Sequence, residues 1–213
     1  MRASWWKILL ILGCYLWGSL NLAFFAGTAM KGKDLRRIGS GNLGTENVYK
    51  NVNKSAGALV FFGDCLKGAA PILITRAAGV SLAIQAACAL AVMAGHNWPF
   101  YLHFRGGRGL AVALTSTLIL NPWGGLGLVA VLGVGALTSG HGAELALVGL
   151  ALQPILAWGL HMPTSIIAFS LGTLLFTLLR RAQGSPQVAR PQPRPAWHVT
   201  LRCRIHHDRE VCG

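Results

Sequence analysis

Long apolar runs, separated by short polar segments, dominate this sequence and limit the folds that it can adopt. Their hydrophobic residues form continuous blocks rather than amphipathic stripes. Of the 213 residues, 53% are hydrophobic and 12% are charged, and a soluble domain usually carries about twice that charged share. Unbroken apolar runs of this length are typical of membrane-crossing helices. The sequence therefore predicts an all-α fold, a polytopic transmembrane helix bundle.

The runs predict about seven helices, several of them shorter than the roughly 20 residues that an upright span needs. We expect these helices at residues 5–30, 57–75, 80–94, 110–120, 123–137, 145–160 and 163–179. The first is interpreted as a retained span, because no small-residue cleavage site of a signal peptide precedes the next run. Asp64 and Lys67 are expected to break the second run. Five or six helices remain an alternative, since the segments between 110 and 145 are weak.

Basic residues lie mainly in the gaps between these runs, and they give the chain a net charge of +13. With seven helices, the basic segments 31–54, 105–108 and 180–181 all fall on one side of the membrane. The positive-inside rule then places the N-terminus outside and the C-terminus in the cytoplasm. Nucleic-acid binding is disfavoured, because it needs basic residues on a folded soluble surface.

A first polar segment at 34–50, DLRRIGSGNLGTENVYK, alternates glycines with short polar residues. Backbone N–H groups and amide side chains in such a segment can converge on one phosphate or hydroxyl oxygen. Arg36, Arg37, Lys50 and Lys54 surround it with positive charge. A flexible interhelical loop is the alternative, since these are also ordinary turn residues. The binding residues expected here are Ser40, Gly41, Asn42, Gly44, Asn47 and Lys50.

A second polar segment at 96–109, HNWPFYLHFRGGRG, has the same chemistry directly before an apolar helix. Its glycines admit a phosphate to the backbone, and the helix N-terminus adds N–H donors and partial positive charge. Arginines can add bidentate contacts, or they only set membrane orientation. The binding residues expected here are His96, Arg105, Gly106, Gly107, Arg108 and Gly109. We expect the two segments to form one phosphate-holding site at a membrane face.

Asp64 and Lys67 are three residues apart, so they share one face of a helix. Ionisable groups at membrane depth usually face the bundle interior and pair, which predicts a structural ion pair. No serine nucleophile, metal-ligand set or cofactor motif stands out in the sequence. Chemistry at the site would then depend on positioning and charge stabilisation, with neither metal nor cofactor.

Both polar segments resemble those of the integral-membrane glycerol-3-phosphate acyltransferases that use acyl-phosphate, the PlsY family. GSGNLGTENVYK is similar to the family's GSGNxGATN followed by Arg, and GHNWPFYLHFRGGRG to its GHxxPxxxxFKGGKG. DCLKG at residues 64–68 matches the family's DxxKG. The resemblance extends to about Arg181. It divides the chain into an acyltransferase-like domain at 1–181 and a basic Pro/Arg/His-rich tail at 182–213, which we expect to be disordered.

The resemblance implies seven helices in a bacterial plasma membrane, with a site that faces the cytoplasm. It also implies a reaction: an acyl group passes from acyl-phosphate to the 1-hydroxyl of glycerol 3-phosphate, giving lysophosphatidic acid in phospholipid biosynthesis. The partners are therefore two small-molecule substrates and membrane lipids, not nucleic acid. A phosphate oxygen of the donor could itself accept the hydroxyl proton, which would explain the missing protein base.

Carried over by residue, the resemblance implies that Ser40, Asn42 and Asn47 hold the phosphates and glycerol hydroxyls. Lys50 takes the place of the family's Arg. Arg105 and Arg108 take the places of its two Lys, so the charge is kept while the geometry differs.

Two departures from the family pattern leave alternatives open. Glu46 stands where the family has Thr, so it pairs with Arg36, Arg37 or Lys50, serves as a base, or marks the loss of the first substrate. The family's last helix ends in an RHxxN-like run, whereas residues 179–184 read LRRAQG. A divergent, non-catalytic relative that binds a phospholipid or phosphate metabolite is one alternative. A small transporter is less favoured, because only the second run carries ionisable residues.

Overall fold

The structure, a computed structural model, describes residues 5–32, 34–138 and 142–184, with side chains described except at 136–138 and 142–144. The predicted tail from residue 185 onward lies outside the described residues. Within them the fold is all-helical, which confirms the predicted class. The α-helices are α1 (Trp5–Ser19), α2 (Leu22–Lys31), α3 (Thr45–Asn51), α4 (Lys54–Ala77), α5 (Leu82–Asn97), α6 (Leu110–Leu120), α7 (Pro122–Thr138), α8 (Gly142–Gly159) and α9 (Thr164–Ala182).

Each apolar run forms a helix where the sequence predicts one, with boundaries that agree to within about one helical turn. In the described ranges, three stretches are long and apolar enough to cross a membrane: Trp5–Lys31, Lys54–Ala77 and Thr164–Ala182. The helices between α4 and α9 are shorter, as the short runs predicted. Two short 3-10 helices, Leu35–Arg37 and Phe100–Leu102, lie in the polar segments.

The first predicted helix is divided in two between Ser19 and Leu22. Asn21 caps α2, because its Oδ1 accepts the N–H of Phe24 at 2.9 Å. The Tyr101 hydroxyl fills the gap: it donates to the Ser19 carbonyl at 2.9 Å and accepts the Asn21 N–H at 3.1 Å. The prediction of one unbroken helix was wrong because the group that satisfies the open backbone comes from a distant part of the chain.

Asp64 and Lys67 break the apolar run in the sequence, but helix α4 runs through both without a break, and they lie on it three residues apart as predicted. The expected ion pair between them is present, with Lys67 Nζ 3.0 Å from Asp64 Oδ1 and both side chains 4% exposed. Each charge is neutralised inside the bundle by its neighbour one turn away. Because neither charge needs water, the helix can continue past both residues.

Small residues let the helices cross at short range. Gly18 of α1 and Gly95 of α5 each face the backbone of the other helix. Gly68 of α4 packs on α6, where an added Cβ would lie 2.8 Å from the Val112 oxygen. Close approach at glycines is characteristic of packing in membrane bundles. Since α5 also packs against α9, these crossings bring the end of α5, the start of α6 and the end of α9 to one end of the bundle.

Candidate functional site

A cavity of about 1210 Å³ opens at this end of the bundle. Residues of three stretches line it: 34–41 in the first polar segment, 98–105 in the second, and 180–184 at the end of α9. A direct bond also joins the two segments, because Arg36 Nη1 donates to the Leu102 carbonyl at 3.1 Å. Leu43 and Gly107 are in contact as well, since a Cβ on the glycine would lie 2.6 Å from the Leu43 oxygen.

Asn47 organises the first segment from inside. Its side chain is buried, with the residue 2% exposed. Oδ1 accepts the Ser40 N–H at 3.3 Å and the Asn51 amide at 2.8 Å. Nδ2 lies 3.0 to 3.1 Å from three backbone oxygens of the same segment, those of Leu35, Ile38 and Asn42. Both polar atoms of the Asn47 side chain are therefore used by the segment itself, whereas the sequence predicts contact with a ligand.

The glycines of the first segment are needed for its shape. Gly39 and Gly41 have φ angles of 58° and 67°, which residues with a side chain rarely adopt. An added Cβ at Gly39 would also collide with the amides of Asn47 and Asn51. Of the other predicted binding residues, Ser40 is exposed, while Asn42 and Gly44 are half-buried. The Asn42 Oδ1 atom is buried and has no hydrogen-bond partner in the described residues.

Four charged residues of the first segment form two ion pairs within it. Arg36 donates from Nη2 to Asp34 Oδ2 at 2.6 Å. Partial burial alone would raise the pKa of the Asp34 carboxyl, but the hydrogen bonds and charge of Arg36, with Arg37 nearby, outweigh it and hold that pKa below its usual value. Lys50 Nζ lies 2.6 Å from Glu46 Oε1, with side chains 66% and 64% exposed. Among the alternatives for Glu46, the structure contains the ion pair with Lys50.

The glycine backbone of the second segment is already hydrogen-bonded. The N–H groups of Gly106 and Gly107 donate to the carbonyls of Asn97 and His96, at 3.0 and 3.1 Å. These carbonyls end α5 and lack partners within that helix, so they take donors from the loop. The two glycine N–H groups are thus not free for a phosphate, contrary to prediction. Gly109 is buried, has a φ of 70° and directly precedes α6.

Arg180 holds the carbonyl side of the same loop. Its Nη2 donates to the Gly106 carbonyl at 2.8 Å and its Nε to the Gly107 carbonyl at 3.2 Å. Its Nη1 donates to the Gly184 carbonyl at 3.2 Å. The residue is 6% exposed. The sequence alone does not indicate this role, since arginines at the end of a span are also expected from topology. The feature that could have indicated it is the family's RHxxN-like run, because Arg180 stands at the place of the Arg in that run.

His96 lies under the loop and not in the cavity lining. It is 3% exposed, and its Nδ1 is 3.5 Å from Asp64 Oδ1. The other side of the imidazole faces Gly107, where any side chain would collide with it. His96 therefore connects the buried pair of Asp64 and Lys67 to the loop. In the described ranges, no three His, Cys, Asp or Glu side chains come together as a metal ion would require.

Three arginines around the cavity are left without partners. In the part of the chain that the structure describes, no hydrogen bond or ion pair involves the side chains of Arg37, Arg105 or Arg108. Arg105 and Arg108 are also close enough to Arg180 for the positive charges to repel. Asp34, the acidic residue in the lining, is occupied by Arg36. A cluster of like charges of this kind is stabilised when an anion with several oxygens enters it.

Comparisons with known sequences agree on one family. The family model described as glycerol-3-phosphate acyltransferase matches residues 8–186. The glycerol-3-phosphate acyltransferase of Rubrobacter xylanophilus is 43% identical over 148 residues, which cover 70% of this chain and 74% of that protein. Glycerol-3-phosphate acyltransferase 1 of Moorella thermoacetica is 35% identical over 179 residues, covering 83% and 91%.

Solved structures give the same result for the fold. The crystal structure of PlsY, an integral membrane glycerol 3-phosphate acyltransferase in its glycerol 3-phosphate form, is similar with a TM-score of 0.74. It is 28% identical in sequence, and the match covers 83% of this chain and 88% of that one. The lysophosphatidic acid form of PlsY matches with a TM-score of 0.70.

Proposed function

This chain belongs to the glycerol-3-phosphate acyltransferase family, and from that membership we propose how its cavity performs the reaction. The protein is an integral membrane acyltransferase that acylates glycerol 3-phosphate to lysophosphatidic acid in phospholipid biosynthesis. We propose acyl-phosphate as the donor, so that inorganic phosphate is the second product. The three unpaired arginines carry this proposal, because both substrates then bring a phosphoryl group to the cavity.

We further propose seven crossings of a bacterial plasma membrane, with α1 and α2 together forming one crossing and α3 at the surface. The N-terminus then lies outside, and the cavity faces the cytoplasm. Two observations support this arrangement. It places the basic segments 31–54, 105–108 and 180–181 on the same side, as the positive-inside rule requires, and residues of all three segments line the cavity. Because Gln183 and Gly184 also line the cavity, we propose that residues 1–184 carry the activity rather than 1–181, with the rest of the predicted 182–213 tail as a separate segment.

Binding divides between residues that face the phosphates and residues that hold the loops. We assign Arg105 and Arg108 to phosphoryl oxygens, because guanidinium groups bind such oxygens in pairs. Ser40 and Asn42 face the acceptor from the first segment, where the Asn42 Oδ1 lacks a partner in the described residues. The remaining predicted binding residues act through the shape of the loops or from the surface: Gly41, Gly44, Asn47, Lys50, His96, Gly106, Gly107 and Gly109.

In the chemical step, the 1-hydroxyl oxygen of glycerol 3-phosphate attacks the acyl carbon. A new ester C–O bond forms, and the C–O bond between the acyl carbon and the donor phosphate breaks, with its electron pair leaving on the phosphate. The hydroxyl proton passes to an oxygen of that phosphate, so the step balances without a protein base. Arg105 and Arg108 stabilise the charge on the departing phosphate, and the cavity aligns the two substrates.

We assign no proton transfer to Glu46. Its carboxylate is 64% exposed and is bound to Lys50, so it is neither desolvated nor free to take a proton. A general base has to come within hydrogen-bond distance of the proton that it removes. The phosphate of the donor already meets this condition when the two substrates are bound side by side.

The test is an assay of the purified full-length protein in detergent or nanodiscs. Given acyl-phosphate and glycerol 3-phosphate, it should release lysophosphatidic acid and phosphate in equal amounts, whereas acyl-CoA as the donor should give no product. Binding of glycerol 3-phosphate without turnover, at every acyl-chain length tried, would overturn the proposal. That result would instead identify a non-catalytic relative that binds a phosphate metabolite.

A further inference from the structure

The residue that follows α9 places an oriented carboxamide in the cavity. Gln183 lines the cavity, and its Oε1 accepts the indole N–H of Trp98 at 2.8 Å. The indole nitrogen is only a donor, so this bond determines which end of the amide is the oxygen. The NH₂ end of Gln183 is left as the donor that a bound molecule can use.

Trp98 is itself held in place from two sides. Its ring packs edge-on against Phe176 of α9, with ring centroids 5.3 Å apart. Its backbone carbonyl accepts the hydroxyl of Tyr15 from α1 at 2.8 Å. Because both ends of the residue are fixed, its indole N–H offers Gln183 one bonding position. The orientation of the Gln183 amide is therefore set by the packing of the bundle.

We propose that Gln183 contacts the substrate, with its Nε2 donating a hydrogen bond to a phosphoryl oxygen in the cavity, and that Trp98 is the positioning residue for this contact. The inference rests on the proposed function of the same site. Arg105 and Arg180 line the same cavity, and their like charges repel. A neutral donor adds a contact to the phosphate without adding to this repulsion.

The first variant is Gln183→Met, which keeps the length of the side chain and removes the donor. A hydrogen bond to a charged oxygen is lost, so the KM for the bound phosphate should rise about tenfold or more. The kcat should stay nearly constant, because the bond exists before and during the reaction. Both substrates carry a phosphoryl group, so each is varied with the other saturating. The KM that rises identifies the phosphate that Gln183 contacts.

The second variant is Trp98→Phe, which keeps an aromatic ring against Phe176 and removes the N–H together with part of the indole ring. It should raise the same KM by a smaller factor in the wild-type background. It should have no effect in the Gln183→Met background, because the amide that it orients is gone. Trp123→Phe is the matched control: Trp123 is 69% exposed at the start of α7, away from the cavity, so this exchange should leave both KM values unchanged.

The outcomes separate the inference from the function on which it rests. If the wild type turns over but neither KM rises in Gln183→Met, the inference fails and the proposed function stands. Independent, additive effects of the two exchanges would also overturn it, as would a lower unfolding temperature with unchanged KM. If the wild type binds glycerol 3-phosphate without turnover, the proposed function fails. The Kd values for glycerol 3-phosphate and for acyl-phosphate then decide: a rise of either in Gln183→Met supports the contact, and two unchanged values overturn it.

Discussion

The two polar segments around the cavity satisfy their polar groups in different ways. In the first, both acidic residues that are paired take a basic neighbour of the same segment, Asp34 with Arg36 and Glu46 with Lys50, Asn47 bonds the backbone, and only Arg37 adds a side-chain charge without a bond in the described residues. In the second, both the N–H groups and the carbonyls of Gly106 and Gly107 are hydrogen-bonded. The guanidinium groups of Arg105 and Arg108 have no partner in the described residues. The first segment is therefore mainly a self-supporting wall, and the second carries the charge that an anion would neutralise.

This difference makes opposite predictions for the two segments. Exchanges of the internally bonded residues of the first segment, such as Asn47 and Asp34, should act through the stability of the wall, and activity should fall only as far as the fold does. Exchanges of the unpaired arginines should reduce substrate binding and catalysis with little effect on stability. Measuring unfolding and turnover for the same variants therefore separates the two kinds of residue.

The largest effect is expected for Asn47→Ala. Buried backbone oxygens of Leu35 and Ile38 would lose their donor, at a cost of about 3 kcal/mol in unfolding free energy. Stability and turnover should fall together in denaturant titrations and in the acyl-phosphate assay. Asn51→Ala is the matched control and should cost less, because within the described residues the Asn51 amide is bonded only to Asn47. Lost turnover with unchanged stability would contradict this role and indicate direct contact with the substrate.

Arg108→Ala should give the opposite result. The loss of a charge-assisted bond to phosphate should lower kcat/KM about ten- to a hundredfold. Stability should stay the same or rise slightly, because repulsion near Arg180 is relieved. Arg108→Lys should keep part of the activity, since the charge remains but not the paired geometry. Arg76→Ala, at the far end of α4, is the control. An unchanged kcat/KM in Arg108→Ala would count against the second segment as the phosphate site.

A smaller effect is expected for Asp34→Asn, and it depends on pH. The folded-state pKa of Asp34 is lowered, so its contribution to stability is complete above the unfolded pKa of about 3.9 and is lost as the pH falls through the folded value. From pH 5 downward, the wild type should lose about 1 kcal/mol more stability than the variant. Unfolding temperatures measured against pH test this, and parallel curves for the two proteins would contradict it.

The smallest effect is expected for Glu46→Thr. An exposed ion pair contributes at most about 0.5 kcal/mol, so stability should hardly change, and turnover should change less than about twofold. Abolished turnover would make Glu46 the base. A large gain would identify Glu46 as a defect in the site.

The sequence predicts the helices well, because long apolar runs have few alternatives in a membrane. It does not predict the break before Asn21, since the bond that permits the break comes from Tyr101, far away in the chain. It also does not predict α3, whose seven residues are too few and too polar to form an apolar run. The pattern of apolar runs contains no information on contacts between distant parts of the chain or on short polar helices, so it predicts neither feature.

The sequence predicts which two segments form the site. It does not predict which of their side chains face a ligand and which bond the loop backbone. An Asn or a His in a glycine-rich segment can bind a ligand or hold its own backbone, and only burial decides between the two. Asn47 and His96 are buried and support the loops. From the sequence, Arg180 indicates only membrane orientation. Its bonds to Gly106 and Gly107 could not be predicted, because these residues lie far from it in the chain.

The central claim is that both segments hold one phosphorylated substrate molecule between them. The most direct measurement is an experimental structure of this protein with glycerol 3-phosphate in a membrane mimetic. We expect the phosphate oxygens within hydrogen-bond distance of Arg105 or Arg108, with Ser40 or Asn42 in contact with the same molecule. A glycerol 3-phosphate molecule that touches only one of the two segments, or that binds outside this cavity, would contradict the account.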